Sequence, residues 1–169
     1  PILIDGAYGR TVAARADLSD GVMISTGAIV SPALDEIVDQ TEALARRVSM
    51  PAPPESWQHD LVQRAASEQR ALLGSPSGEV VALPAKSALL GLGKGRALWS
   101  ESIAAIAIPG LVSNRVVEEL LAVPAVTAKG TPRALIVPDG TVLQAEPALM
   151  RRLERSWRVY AAASNTLCG

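Results

Sequence analysis

Apolar residues recur along this chain at two spacings, and the alternation between them predicts its elements. Short unbroken apolar runs bounded by Gly, Pro or Asp read as buried strands: Ile2-Leu3-Ile4, Val22-Met23-Ile24-Ser25, residues 79–83, residues 103–108, Ala134-Leu135-Ile136-Val137 and residues 157–161. Elsewhere the apolar residues fall at helical spacing. Leu34, Ile37, Val38, Thr41, Leu44, Ala45 and Val48 share one face, with Asp35, Glu36, Asp39 and Glu42 on the other, toward the positive end of the helix. Ser31-Pro32 suits the start of that helix as cap and first helical residue, and Pro51, Pro53 and Pro54 stop it. A second helix is predicted over 55–73, with Trp57, Leu61, Val62, Ala65 and Leu72 inward and Gly74 as its left-handed terminator.

Ser75-Pro76-Ser77-Gly78 reads as a turn, and residues 84–98, rich in glycine, read as a mobile loop. Ser113 or Asn114 can cap a helix that runs through Leu121 with Val116, Val117, Leu120 and Leu121 inward, and a short helix is predicted over 147–155. Strands alternating with helices predict an α/β fold of three layers with a mostly parallel sheet and right-handed crossovers. A chain of 169 residues can bury a proper core, so residues 1–169 are expected to form a single domain. Strand begins at Ile2 and little follows the last apolar strand, which fits a fragment, a cleaved chain or a divided protein as well as a chain that has lost its initiator Met.

Composition narrows the function classes. Sixteen basic and seventeen acidic side chains give a formal charge of −1, which invites no polyanion, and aromatics at 3% with no Phe leave few platforms on which bases stack. Nucleic acid is therefore not an expected partner. Cys168 is the only cysteine and His59 the only histidine, so no internal disulfide and no four-ligand zinc site can be built from Cys and His. The lone thiol and the lack of a secretory leader pattern favour the cytosol. The longest apolar run, residues 103–112, is too short to span a bilayer and is broken by Pro109-Gly110, so no membrane partner is expected.

The candidate chemistry lies where strands end. Ile2-Leu3-Ile4 runs into Asp5-Gly6-Ala7, with Arg10 close behind, and the run at residues 22–25 reaches Thr26-Gly27-Ala28. If these are neighbouring parallel strands, both turns lie at the carboxyl edge of the sheet, where open α/β sheets bind ligands. Asp5 is then placed to hold a metal-bound phosphate or orient a water, Gly6, Ala7 and Gly27 let backbone approach it, and Thr26 adds a hydroxyl. Arg10 could meet a phosphate, and Asp139-Gly140-Thr141 repeats the acid-at-strand-end pattern. Each has a plainer reading: Asp-Gly is a common turn pair, and Arg10 can simply be solvated. Gly91-Leu92-Gly93-Lys94-Gly95-Arg96 fails as a dinucleotide fingerprint because Arg96 stands where Gly or Ala is needed. It fails as a Walker A loop because Ala88 and Gly95 replace the required Gly and Ser/Thr. His59 is expected on a solvated face of its helix, and nothing in the sequence activates Cys168.

Ile4-Asp5-Gly6-Ala7, Gly9-Arg10 and Ser25-Thr26-Gly27-Ala28 followed by Ser31 resemble an accessory family encoded beside lysine 5,6-aminomutase, described as the reactivase subunit of that cobalamin-dependent enzyme. Ile108-Pro109-Gly110 and residues 135–141 extend the resemblance. It implies a P-loop NTPase-like or Rossmann-like α/β fold of which this chain is the C-terminal part, without the phosphate-binding loop. It also implies ATP and Mg as cofactors and a P-loop-bearing chain or segment and a cobalamin-dependent aminomutase as partners. ATPase activity is then expected only together with the P-loop segment, because phosphoryl transfer needs positioned positive charge around the leaving phosphate. In this reading Asp5 is the catalytic and metal-binding residue, and Gly6, Ala7, Arg10, Thr26, Gly27 and Asp139 line the nucleotide. Tyr8-Gly9-Arg10 departs from the family's Asp-Arg or Asn-Arg. The competing expectations are a non-catalytic interaction or scaffold domain, and a small-molecule enzyme that uses the α/β cleft.

Overall fold

A computed structural model describes residues 14–27 and 31–168. The elements in chain order are β1 (Gly21–Val22), α1 (Leu34–Val48), α2 (Ser56–Glu68), β2 (Leu72–Gly74), β3 (Val80–Ala82), α3 (Ala88–Lys94), β4 (Ala105–Ala107), α4 (Asn114–Leu121), β5 (Ala134–Asp139), α5 (Pro147–Glu154), β6 (Arg158–Ala163) and β7 (Thr166–Leu167). Five strands form one sheet in the order β3-β2-β4-β5-β6. β4, β5 and β6 are parallel, while β2 pairs antiparallel with both β3 and β4. The protein is α/β, with a mixed sheet in which the β4-β5-β6 block is parallel. The antiparallel edge arises because Ser75-Pro76-Ser77-Gly78 closes a short hairpin: the Gly78 N–H donates to the Ser75 carbonyl at 3.1 Å, and Gly78 takes φ of +88°.

Strand pleating divides the core in two. Leu73, Ile106, Leu135, Val137 and Val159 point to the face covered by α3, α4 and α5, which contribute Leu92, Val116, Val117, Leu120, Met150 and Leu153. Leu72, Ala105, Ala107, Ala134 and Ile136 point to the other face, against Leu61, Val62 and Ala65 of α2. Alanines on that face let α2 approach closely. Gly74 continues the pattern, since a Cβ there would stand 2.7 Å from Leu61 Cδ2.

That contact corrects the expected role of Gly74. Helix α2 ends at Glu68, its left-handed cap is Gln69 at φ of 48°, and Leu72-Leu73-Gly74 is a fully buried strand. Strand wins over the continued helix because Leu72 and Leu73 face opposite layers, both apolar, which only a strand can serve. Residues 84–98 are likewise not a loop. Ser87 caps α3 by accepting the Leu90 N–H, and Gly91 and Leu92 are buried. Gly91 and Gly95 supply close approach, with Leu83 Cβ 3.0 Å and Leu83 Cδ2 2.9 Å from where their Cβ atoms would stand. Lys94 ends this helix, and Arg96 pairs with Glu119 at 3.0 Å.

The amino-terminal strand expectations fare differently. Ile2-Leu3-Ile4 lies outside the described residues. At residues 22–25 the predicted buried strand is absent: only Gly21–Val22 is extended, it pairs with β7 in a separate two-stranded ribbon, and Met23 is 77% exposed. α1 forms as predicted, but two residues late, with Ala33 at the cap position and Leu34 as its first residue. Ser31 Oγ accepts the Ala33 N–H at 3.1 Å and donates to Glu36 at 2.6 Å, so Ser31 steadies the approach rather than standing at the cap position. The predicted inward face of α1 is buried only at Val48.

Candidate functional site at the carboxyl rim of the sheet

The turns that follow β4, β5 and β6 occupy the edge where an α/β sheet binds its ligand. Their polar groups are paired with one another. Asp139 ends β5 and caps the 3-10 turn Gly140–Val142. One of its carboxylate oxygens accepts the Thr141 N–H at 2.7 Å, and the other accepts the Ala16 N–H at 2.7 Å. Asn165, just past β6 and buried, donates to the Ala14 carbonyl at 2.6 Å and to Ser19 Oγ at 3.2 Å. Residues 14–19 are thus fastened across the rim by an Asp and an Asn.

Two further closures complete it. The loops after β4 and β5 join through Val112, whose N–H donates to the Val142 carbonyl and whose carbonyl accepts the Gln144 N–H, each at 2.9 Å. Asn114 and Glu146 clasp the starts of α4 and α5: the Glu146 N–H donates to Asn114 Oδ1 at 2.7 Å and Asn114 Nδ2 to Glu146 Oε1 at 2.9 Å. Of the two residues expected to cap α4, Ser113 holds the cap position without a side-chain bond, and Asn114 is spent on this clasp.

Of the residues singled out by sequence, Asp5, Gly6, Ala7 and Arg10 lie outside the described residues. Thr26 is exposed and Gly27 half-buried, on a segment that follows the β1/β7 ribbon rather than a strand of the main sheet. Asp139 does sit at a carboxyl strand end, with a backbone N–H on each oxygen. Among the described residues no three acidic, His or Cys side chains are grouped to hold a metal ion. His59 is half-buried rather than free, with Nε2 2.9 Å from the Pro53 carbonyl. Cys168 is exposed. No helix among the described residues is long and apolar enough to cross a membrane.

The pairing at Asp139 has a measurable consequence. Asp139→Ala leaves the Thr141 and Ala16 N–H groups without their acceptor, and a stability loss of about 1–3 kcal/mol is expected in urea denaturation. Trypsin should then cut after Arg15 faster than in the parent, since the segment has lost one of its two fastenings.

Room for a ligand is limited beside this rim. The cavity between α1 and α5, bordered by Arg46, Arg47, Met50, Leu143 and Met150, holds about 30 Å³, space for water and not for a metabolite. Burial there pulls the Arg47 guanidinium below its ordinary value, and its Nη2 donates to the Ala145 carbonyl at 2.7 Å. A wider surface groove of about 370 Å³ runs between α3 and α4, where Lys94 and Arg115 face Glu118 and Glu119.

Two features escaped the sequence reading. One is the outward face of α1. The helix meets α5 through charged side chains, Asp39 to Arg151 at 3.3 Å and Arg46 to Glu154 at 3.9 Å, while Leu34 is 72% and Val38 49% exposed. Of the eight large apolar side chains exposed among the described residues, Leu18, Met23, Leu34, Val38 and Leu167 all belong to α1, the β1/β7 ribbon or the chain next to it. Periodicity located the helix but could not say that Leu34 and Val38 stay exposed while Val48 is buried. The other is a cluster of buried Arg133 and Trp157 with half-buried Trp99, for which the only signal was that two of three Trp residues flank predicted strands.

Comparison with protein-family models, with curated proteins and with solved structures gives no match for this chain. Its class rests on its architecture: an α/β protein with a mixed five-stranded sheet between one helix and three.

Proposed function

We propose that this chain is a non-catalytic interaction domain that associates through the outward face of α1. The observation that carries this reading is the contrast between its two polar and apolar surfaces. At the rim where an α/β sheet would do chemistry, Asp139, Asn165, Asn114 and Glu146 are consumed in holding the fold. On α1, by contrast, Leu34 and Val38 of its first two turns lie exposed, while the same face is covered toward Val48. Such exposed apolar side chains favour a protein surface over water.

A second copy of the chain is the occupant its charges favour. α1 carries Asp35 and Glu36 in its first turn and Arg46 and Arg47 in its last. Two copies packed antiparallel would bring the acidic turn of one near Arg46 of the other, with Leu34, Val38 and Ala45 along the seam. One helical stripe is a small interface, below about 1,200 Å², so a dimer weakening in roughly the ten-micromolar range or above is expected. Sedimentation velocity over a concentration series tests it. Leu34→Asp with Val38→Asp should abolish concentration-dependent dimerisation without changing the urea midpoint. A parent chain that stays monomeric at about 200 micromolar removes this reading.

A second reading is favoured by the parallel β4-β5-β6 block that closes on Asp139. It makes the chain a nucleotide-linked accessory protein of the reactivase kind for a cobalamin-dependent aminomutase, in the cytosol. Asp5, Gly6, Ala7, Arg10, Thr26 and Gly27 would complete an ATP–magnesium site supplied with phosphate-gripping residues by a P-loop-bearing chain. Isothermal titration with Mg-ATP, with and without that chain, separates the readings: heat of binding abolished by Asp5→Asn supports the second, and no heat in either arm removes it.

A further inference from the structure

Every buried side-chain nitrogen or oxygen without a hydrogen-bond partner among the described residues belongs to one contact cluster: Arg133 Nε and Nη1, Trp99 Nε1 and Trp157 Nε1. Arg133 is 3% exposed and is the only charged side chain in the buried set. Its Nη2 donates to the Ser100 carbonyl at 3.1 Å, and its Cζ lies 5.0 Å from the centroid of the Trp99 ring. Trp99 in turn meets Trp157 edge to face, with centroids 5.6 Å apart and planes at 87°. No ion pair among the described residues includes Arg133.

These groups gather at the amino edge of the parallel strands, because Arg133 directly precedes β5 and Trp157 directly precedes β6. The site is thus at the opposite end of the sheet from the Asp139 rim. A cation–π contact and one carbonyl offset part of the cost of burying a guanidinium. They leave its net charge uncompensated and its Nε–H and Nη1–H without acceptors, while outside this cluster the buried polar side chains among the described residues are paired. The cluster offers donors only. A neutral water would accept from two of them and would then need acceptors of its own, and the Ser100 carbonyl already accepts both the Ile103 N–H and Arg133 Nη2.

We propose that Arg133, with the indole N–H groups of Trp99 and Trp157, forms a binding site for a small monovalent anion of chloride size. A halide has no proton to place, accepts several N–H donors at once and neutralises the buried charge. The inference is independent of how α1 associates.

Thermal unfolding at constant ionic strength, with sodium gluconate replaced stepwise by sodium chloride, tests it. The parent should gain about 4 °C between zero and roughly 200 mM chloride, the shift expected for a ligand near ten times its dissociation constant. Arg133→Met keeps the length of the side chain and removes its charge, so its melting temperature should not respond to chloride. A crystal grown in bromide should show an anomalous peak within about 3.5 Å of Arg133 Nε or Nη1, which tests the site even if the variant does not fold. Equal melting temperatures in both salts, a chloride response that survives in Arg133→Met, or an ordered water without anomalous signal at Arg133 would each overturn the proposal.

Discussion

Gly140→Ala is expected to lower stability by about 3 kcal/mol or more, the largest effect of a methyl added at any glycine among the described residues. A Cβ at Gly140 would overlap the Arg47 carbonyl oxygen and stand 2.7 Å from its carbonyl carbon. These are backbone atoms at the end of α1, so no rotamer change relieves the overlap. Either α1 moves off the turn at Gly140–Val142 or that turn moves off β5. Moving the helix end breaks the Asn165 N–H bond to the Val48 carbonyl and disturbs the Arg47 bond to Ala145. Moving the turn breaks the Asp139 cap. Urea denaturation should show a lower midpoint, and trypsin should attack α1 early. Gly93→Ala is the matching control: nothing lies within 4 Å of its Cβ position in α3, so a gain of about 0.5–1 kcal/mol is expected from helix propensity alone.

Ile106→Ala should cost about 2–5 kcal/mol. Ile106 is fully buried at the centre of β4, the strand shared by the antiparallel hairpin and the parallel block, and it pairs in register with Leu73 and Leu135. Its side chain points to the layer formed by α3, α4 and α5. Two neighbouring strands in the sheet plane and helices above leave little scope to collapse around the lost atoms, so a cavity term adds to the transfer term. Ile106→Val should cost about 0.5–1.5 kcal/mol, and a ratio near unity between the two variants would show that the layer relaxes more than this packing allows.

Local pattern carried much of the fold. The apolar runs at β4 and β5, the helices α1, α2, α4 and α5, and the hairpin turn at residues 75–78 are legible because each satisfies its own backbone and shows its own period. The errors fall where two tertiary demands compete. Leu72 and Leu73 extend the apolar face of α2 on paper, yet each is claimed by a different layer. Gly91, Gly93 and Gly95 look like a flexible loop until Leu83 is placed beside them, when two of them become the means by which α3 packs closely. The run at residues 22–25 has the composition of a core strand, yet none of it pairs with the main sheet and only Val22 pairs with β7.

The same division governs the candidate sites. Asp139 was visible as an acid at a strand end, because a strand followed by Asp-Gly is a local signal. That its two oxygens hold Thr141 and Ala16 depends on a contact between residues far apart in the chain. Arg133 had no local signal at all, since its burial against Trp99 and its lack of a carboxylate are properties of the packed layer.

The amino-acid sequence by itself determined the α/β class and the positions of its principal helices and strands, since periodicity and turn chemistry act over a few residues. Only the tertiary structure decided that β2 and β3 make the sheet mixed, that the polar groups of the rim pair with one another, and that the start of α1 leaves Leu34 and Val38 exposed. Those outcomes depend on which surfaces meet across the chain, and burial free energy is set by that meeting rather than by any local run of residues.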